Sequence, residues 1–378
     1  MSVKNRIFSI INKDKSESKN TLDHSLVVIV LALLAFGLVM VFSASSASAH
    51  YIQGDATYFF KRQFLWAVFG LISMFVVSRI PYKVIYKYTN HIFYISLALL
   101  VLVLIAGKTI NGAKRWLGFG PAVFQPSEIA KLAIILFLAK RIHKKPNSVY
   151  KFKEGFVTYM AWILIVAVIV LAEPHMSGAM VIGLVGCAVL FVAGFKGRYF
   201  ALLASGAIPA ALALAIFSPY RLKRVTSFLH PFEDKLDDSW QIVQSLYAIG
   251  SGGLFGLGLG QSRQKFLYIP EPQTDFIYAI ICEELGFVGA VLVILLFAVL
   301  IWKGITISRK APDTFSSLTA AGITALIAIQ VLLNIAVVTS TMPVTGVPLP
   351  FFSYGGTSLM ILLTEVGILL NISRYITK

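Results

Sequence analysis

Long apolar runs separated by short polar segments recur along almost the whole chain, and this rhythm predicts ten membrane-spanning helices. They fall at about Leu26 to Ser43, Phe64 to Val77, His91 to Ala106, Ser127 to Ala139, Phe156 to Ala172 and Ser177 to Ala193. Four more run from about Tyr199 to Ser218, Phe276 to Ile301, Phe315 to Val338 and Ser353 to Ile372. The expected fold class is therefore all-α and integral to the membrane: a ten-helix domain over residues 25–374, between an N-terminal tail, 1–24, and a short C-terminal tail, 375–378. The first twenty-odd residues are polar and basic without the apolar stretch of a cleavable signal, so the first span is expected to be an uncleaved anchor.

Charge sets the expected orientation. Lys and Arg in short loops are retained on the cytoplasmic side. With both termini cytoplasmic, the inner segments carry 21 Lys and Arg and the outer ones 11, and Lys131 lies inside a span. Most loops are short, but residues 219–275 form a large extracytoplasmic segment between the seventh and eighth spans. Its content of Tyr220, Phe228, Trp240, Leu246, Tyr247 and Phe266 is too apolar for a disordered chain. Trp240, Val243 and Tyr247 follow helical spacing, which suggests an apolar face laid on the membrane surface.

Composition agrees with a lipid solvent: 57% of residues are hydrophobic and 13% charged, against about a quarter charged in soluble domains. The net charge of +16 does not imply nucleic acid, because the basic residues are scattered over many loops rather than gathered on one surface. Cys187 and Cys282 both sit inside apolar spans, so neither a disulfide framework nor a metal site is expected.

Ionisable residues inside spans are costly and therefore candidates for function. Glu128 and Lys131, three residues apart on one helix face, make either a structural ion pair or part of a substrate site. Asp275, at the mouth of the eighth span, is either a helix N-cap or a general base whose proton affinity is raised at an apolar boundary. Glu283, Glu284 and Glu365 are expected to pair with polar groups across the bundle; Glu173, at the short outer turn between the fifth and sixth spans, is expected either to be structural like them or to face the same outer cavity as Asp275, and His175 has no second ligand at metal spacing. The run GSGGLFGLGLG from Gly250 lacks the strand and soluble helix of a nucleotide-binding loop and reads as a flexible re-entrant turn. Lys108, Lys114, Arg115, Arg221, Lys223, Arg224, Arg263 and Lys265 stand on the outer side against the usual bias. Either lipid headgroups or a pyrophosphate-linked substrate would hold them there.

Four motifs resemble those of the SEDS proteins (shape, elongation, division and sporulation), in their FtsW and SpoVE branch rather than the RodA branch. They are Asn111 to Trp116 (NGAKRW), Gln125 to Lys131 (QPSEIAK), the run GLGLGQSRQKFLYIPEPQTDFIYAIICEELGF from Gly256, and Pro348 to Ser358 (PLPFFSYGGTS), followed by Gly367 to Arg374. The resemblance covers nearly the whole ten-span region. It implies a bacterial cytoplasmic membrane protein, at the septum in the division branch, that polymerises lipid II into glycan strands with a class B penicillin-binding protein and other divisome partners. It places the family's essential aspartate on Asp275, its membrane charge pair on Glu128 and Lys131, and its loop arginine on Arg115. Lys114, Arg221, Lys223 and Arg263 join these as expected substrate-binding residues. No cofactor is expected, and a divalent-ion requirement is left open. The chain departs from the family at Glu173-Pro174-His175, where many members carry an aspartate at or beside the position of His175. Two other readings stand: a lipid II flippase, and a scaffold for the penicillin-binding protein.

Overall fold

The computed structural model describes residues 22–110, 113–119, 122–216, 228, 232, 239–266 and 268–376. Helices dominate: α1 His24–Gln53, α2 Tyr58–Arg79, α3 Tyr82–Ala106, α4 Pro126–Lys144, α5 Thr158–Ala172, α6 Met176–Val192, α7 Gly197–Ile216, α8 Trp240–Ser251, α9 Ile277–Arg309, α10 Thr314–Val338 and α11 Gly356–Ser373. Seven described helical segments are long and apolar enough to cross a membrane, and α6 is a shorter apolar helix. The helices run longer than the apolar cores that predict them. In α1, Asp23 Oδ1 accepts from Leu26 N at 3.1 Å, and left-handed Gly54 closes the other end.

Side chains such as Val28, Phe64, Ile72, Ile105, Phe191 and Trp302 point outward, which is tolerable only where lipid is the solvent. Inside, α4 and α10 pack on each other and on α6, while α11 packs along α2 and is the most enclosed of the long helices.

Two features lie outside the sequence reading. Three strands, β1 Lys108–Ile110, β2 Ala113–Phe119 and β3 Ala122–Phe124, form a small antiparallel meander between α3 and α4. The second is a break in α9 at Gly286, whose φ of 65° is left-handed. A broken helix inside a membrane exposes peptide groups that lipid cannot satisfy, and here the glycine-rich run after α8 satisfies them. Leu257 N and Gly258 N donate to Glu283 O and Glu284 O at 3.0 Å, while Phe287 N and Val288 N donate to Gly253 O and Leu254 O at 2.9 and 3.1 Å. The run is thus a bonded plug rather than a loose turn. A Cβ on Gly256 would stand 2.2 Å from Glu284 O, so only glycine lets the two backbones approach this closely.

The same corner carries buried charge. Glu284 accepts from Ser43 Oγ on α1 at 2.6 and 2.8 Å and from Lys265 Nζ at 3.1 Å. Glu283 accepts from Ser262 Oγ at 2.5 Å and Arg263 N at 2.9 Å. These two carboxylates pair as the sequence suggested, but Lys265 is an internal counter-ion rather than an outward-facing cation. α8 forms where helical spacing predicts it, with a different inner face. Ile242, Val243, Ser245 and Ala248 are buried while Tyr247 is 46% exposed, because the helix packs on α9.

Gly256→Ala and Gly286→Ala each force an L side chain into a left-handed, crowded position, so each is expected to cost at least about 2 kcal/mol. The melting temperature of purified protein in detergent checks this, with Gly183→Ala, where nothing lies within 4 Å of the added carbon, as the control that stays near wild type.

Candidate active site at one end of the bundle

Asp275 lies at the end of the turn that leads into α9. Three side chains and one backbone amide fix that turn. Asn334 Nδ2, from α10, donates to Asp275 O and to Val347 O, both at 2.8 Å. Ser353 Oγ donates to Thr274 O at 2.7 Å and accepts from Leu349 N at 2.8 Å. Tyr354 N donates to Gln273 O at 2.7 Å, and Thr274 Oγ1 donates back to Glu271 O at 2.8 Å. The backbone is held from both sides, whereas no hydrogen bond among the described residues holds the side chain. The N-cap of α9 is Phe276, and no side chain caps it, so the carboxylate is not occupied as a helix cap. It lies against Gly346, where an added Cβ would stand 3.1 Å from Oδ2.

Burial, reinforced by the nearby charge of Glu271, pushes the Asp275 carboxyl up to about 6, and Arg115 works against the rise. Arg115 stands on β2, and its Nη2 donates to Pro174 O in the turn between α5 and α6. It is the charge common to the site. Beside it, Glu173 is fully buried, neither of its carboxylate oxygens has a hydrogen-bond partner among the described residues, and burial raises it to about 7 against the pull of Arg115. His175 is pushed down to about 3, by burial first and then by Arg115 and Lys131, so its ring is neutral at physiological pH. Its Nε2 lies 3.1 Å from Gln125 Nε2. If the amide donates there, the ring proton sits on Nδ1. Glu173, Arg115 and Asp275 therefore belong to one electrostatic neighbourhood.

The remaining candidates divide. Glu128 and Lys131 form an ion pair at 2.7 Å near the start of α4, with side chains 12% and 5% exposed. They line a cavity of about 30 Å³ together with Gln330, Ser353, Ser358 and Glu365, a volume and polarity suited to one or two waters. The same Ser353 helps to hold the Asp275 turn, so the pair lies just behind it. Lys114 is engaged elsewhere: its Nζ donates to Leu104 O and Ile105 O at 2.8 and 2.9 Å, capping the end of α3. Arg263 is exposed. Arg221 and Lys223 lie outside the described residues. Among the described residues no group of three His, Cys, Asp or Glu is arranged to hold a metal ion. Sequence reading missed Asn334 and Gly346. A buried Asn in an apolar span is a usable signal for the first, while nothing local marks the second.

A model of the cell cycle protein family that unites FtsW, RodA and SpoVE matches residues 24–378. The chain belongs to this family. Stage V sporulation protein E of Bacillus subtilis (strain 168) is 48% identical over 361 residues, 94% of this chain and 98% of the relative. The probable peptidoglycan glycosyltransferase FtsW of Trichlorobacter lovleyi is 43% identical over 355 residues, 93% of each. Among solved structures, a peptidoglycan synthase complex that coordinates polymerization and crosslinking contains a chain superposing with a TM-score of 0.78 at 31% identity, covering 94% of this chain and 98% of that one. The rod shape determining protein RodA of Thermus thermophilus gives 0.70 at 28% identity, covering 95% and 99%. The helical membrane architecture of the FtsW, RodA and SpoVE proteins is thus shared end to end.

Infrared difference spectra of isotope-labelled Asp275 should show half-protonation near pH 6. Removing the opposing charge by Arg115→Ala should move that midpoint up, and Glu271→Gln should move it down. Because burial raises this group above its unfolded value, its ionisation costs stability as pH climbs from about 4 to about 6. Asp275→Asn should therefore melt no lower than wild type above pH 6.

Proposed function

We infer that this chain is a peptidoglycan glycosyltransferase of cell division or sporulation, and that it polymerises lipid II with Asp275 as general base. The observation that carries the assignment is a carboxylate that does not cap α9, is held among the described residues through its backbone alone, and shares the field of Arg115. The names borne by its relatives, glycosyltransferase and sporulation protein, support the same reading.

In this scheme the Asp275 carboxylate takes the proton from the 4-hydroxyl of the acceptor's N-acetylglucosamine. The freed oxygen attacks the anomeric carbon of the donor strand from the face opposite the pyrophosphate. The carbon–oxygen bond to undecaprenyl pyrophosphate breaks, and the new β-1,4 bond forms with inversion. A carboxyl raised to about 6 is still ionised at neutral pH yet more basic than an ordinary aspartate, which suits it to this step. Arg115 is the cation best placed for the leaving pyrophosphate, since its charge already reaches Asp275. Arg221, Lys223 and Arg263 remain proposed phosphate contacts on the strength of the sequence alone.

Ten crossings with both termini cytoplasmic complete the reading. Seven long apolar helices and the shorter α6 support it, with α4 and α7 as the other two. The segment 219–275 then lies outside the cell, where lipid-linked sugar is presented. A class B penicillin-binding protein is the proposed partner, because a similar chain works within a complex that couples polymerization to crosslinking. The division septum is the proposed location. For a flippase, the cavity beside Glu128 and Lys131 would have to pass a disaccharide headgroup, and it is water-sized.

Purified Asp275→Asn should fold and make no glycan polymer from lipid II, a loss of at least about a thousandfold. Unchanged polymer would remove the base from this scheme. A parallel vesicle assay of lipid II translocation separates the readings: transport without polymer would favour the flippase.

A further inference from the structure

The outer half of α9 ends at Gly286 with two adjacent buried carboxylates, 1% exposed at Glu283 and 0% at Glu284. Both turn onto the segment 260–265. Glu283 accepts from Ser262 Oγ, from Arg263 N and from Gln264 N at 3.4 Å. Glu284 accepts from Ser262 N at 3.3 Å, from Lys265 Nζ and from Ser43 on α1. Lys265, 3% exposed, also donates to Gly260 O at 2.6 Å. The segment is therefore tied to α9 and, through Ser43, to α1. Ten residues beyond Lys265, the chain reaches Asp275.

We propose that Glu283, Glu284 and Lys265 are positioning residues for the glycosyl transfer, forming a buried clamp that sets the outward aim of Arg263 and the approach of the chain to Asp275. The inference rests on the glycosyltransferase reading above and assigns roles to residues that this reading leaves idle. Three physical points favour it. Buried charges are costly unless paired and hydrogen-bonded, and the three here meet that cost by bonding to one another and to one short segment. The acceptor atoms are spent on backbone amides of one short segment, which fixes its path and not merely its packing. The clamp also grips the amide of Arg263 itself while leaving that side chain exposed to solvent.

The alternative role for Lys265 is as a direct phosphate ligand, and kinetics separate the two. Purified full-length wild type, Lys265→Met, Glu284→Gln and the double variant would be assayed with lipid II, with rates normalised to folded protein by size exclusion. A clamp predicts that Lys265→Met lowers kcat on the order of tenfold to a hundredfold with KM little changed, as misplacement of a reacting group does. Breaking the Lys265–Glu284 ion pair from either side should also lower the melting temperature, and the double variant, which removes both partners of that pair and leaves Glu283 with its own hydrogen bonds, should recover part of the loss. The kcat should not recover with it, because the tether is still cut. A rise in KM at unchanged kcat would overturn the clamp in favour of phosphate binding, and recovery of kcat together with melting temperature would reduce it to packing. Arg263→Ala adds a second check. Its effect should be largely lost in the Lys265→Met background, and a full, independent effect there would refute the claim that the clamp aims it. Inactive wild type would instead count against the glycosyltransferase reading itself.

Discussion

Everything at the reactive end depends on how one interrupted helix is made tolerable inside a membrane. Lipid offers no hydrogen bonds, so the four peptide groups freed at the Gly286 break would each cost several kcal/mol if left bare. The glycine-rich run supplies all four partners from backbone alone. That requirement dictates a run without side chains, approaching closely enough that a single methyl on Gly256 would collide with Glu284 O. Once the run is seated, the residues after it have little freedom left, and the turn bearing Asp275 starts from a fixed point.

Around that turn the structure separates holding from reacting. Asn334, Ser353 and Tyr354 spend their hydrogen bonds on the main chain of residues 273–275, so the carboxylate is positioned without being neutralised. Its surroundings are apolar enough to raise its proton affinity, and the Arg115 guanidinium limits the rise. Arg115 is anchored in turn by the carbonyl of Pro174, on an element distant in sequence. The Asp275 carboxyl, the Arg115 guanidinium and a second buried carboxyl at Glu173 are thus brought into one electrostatic neighbourhood from the turn before α9, from β2 and from the end of α5.

Much of this was legible in the chain. Hydropathy located the long helices because burial in lipid demands an unbroken apolar run, and Asp275 stood out as a carboxylate at the edge of one. The break in α9 was not legible, since the apolar pattern passes through Gly286 and the partners lie about thirty residues upstream. The strands of the meander, three residues long at each side, are too short to show alternation. That Asp275 does not cap α9 was visible only once Phe276 was seen in the capping position. The inner face of α8 was misjudged because aromatic spacing marks amphipathicity and not which side meets protein. Lys114 and Lys265 were read as outer cations held by lipid headgroups or a pyrophosphate because a sequence gives no acceptors: one caps α3 and the other neutralises Glu284.

The fate of those two lysines alters how the surface meets an anionic lipid in salty surroundings. Bulk ions weaken attraction only between charges they can reach, over a distance of about 8 Å at physiological salt. Lys265 is sealed from such ions and neutralised by Glu284, whereas Lys114 keeps its charge but has its ammonium pinned to two carbonyls at the end of α3. The number of charges available to draw a pyrophosphate in from a distance is therefore smaller than the count of basic residues implies. Capture should depend less steeply on ionic strength than that count would suggest, with more of the grip coming from short-range contacts at a site already shaped.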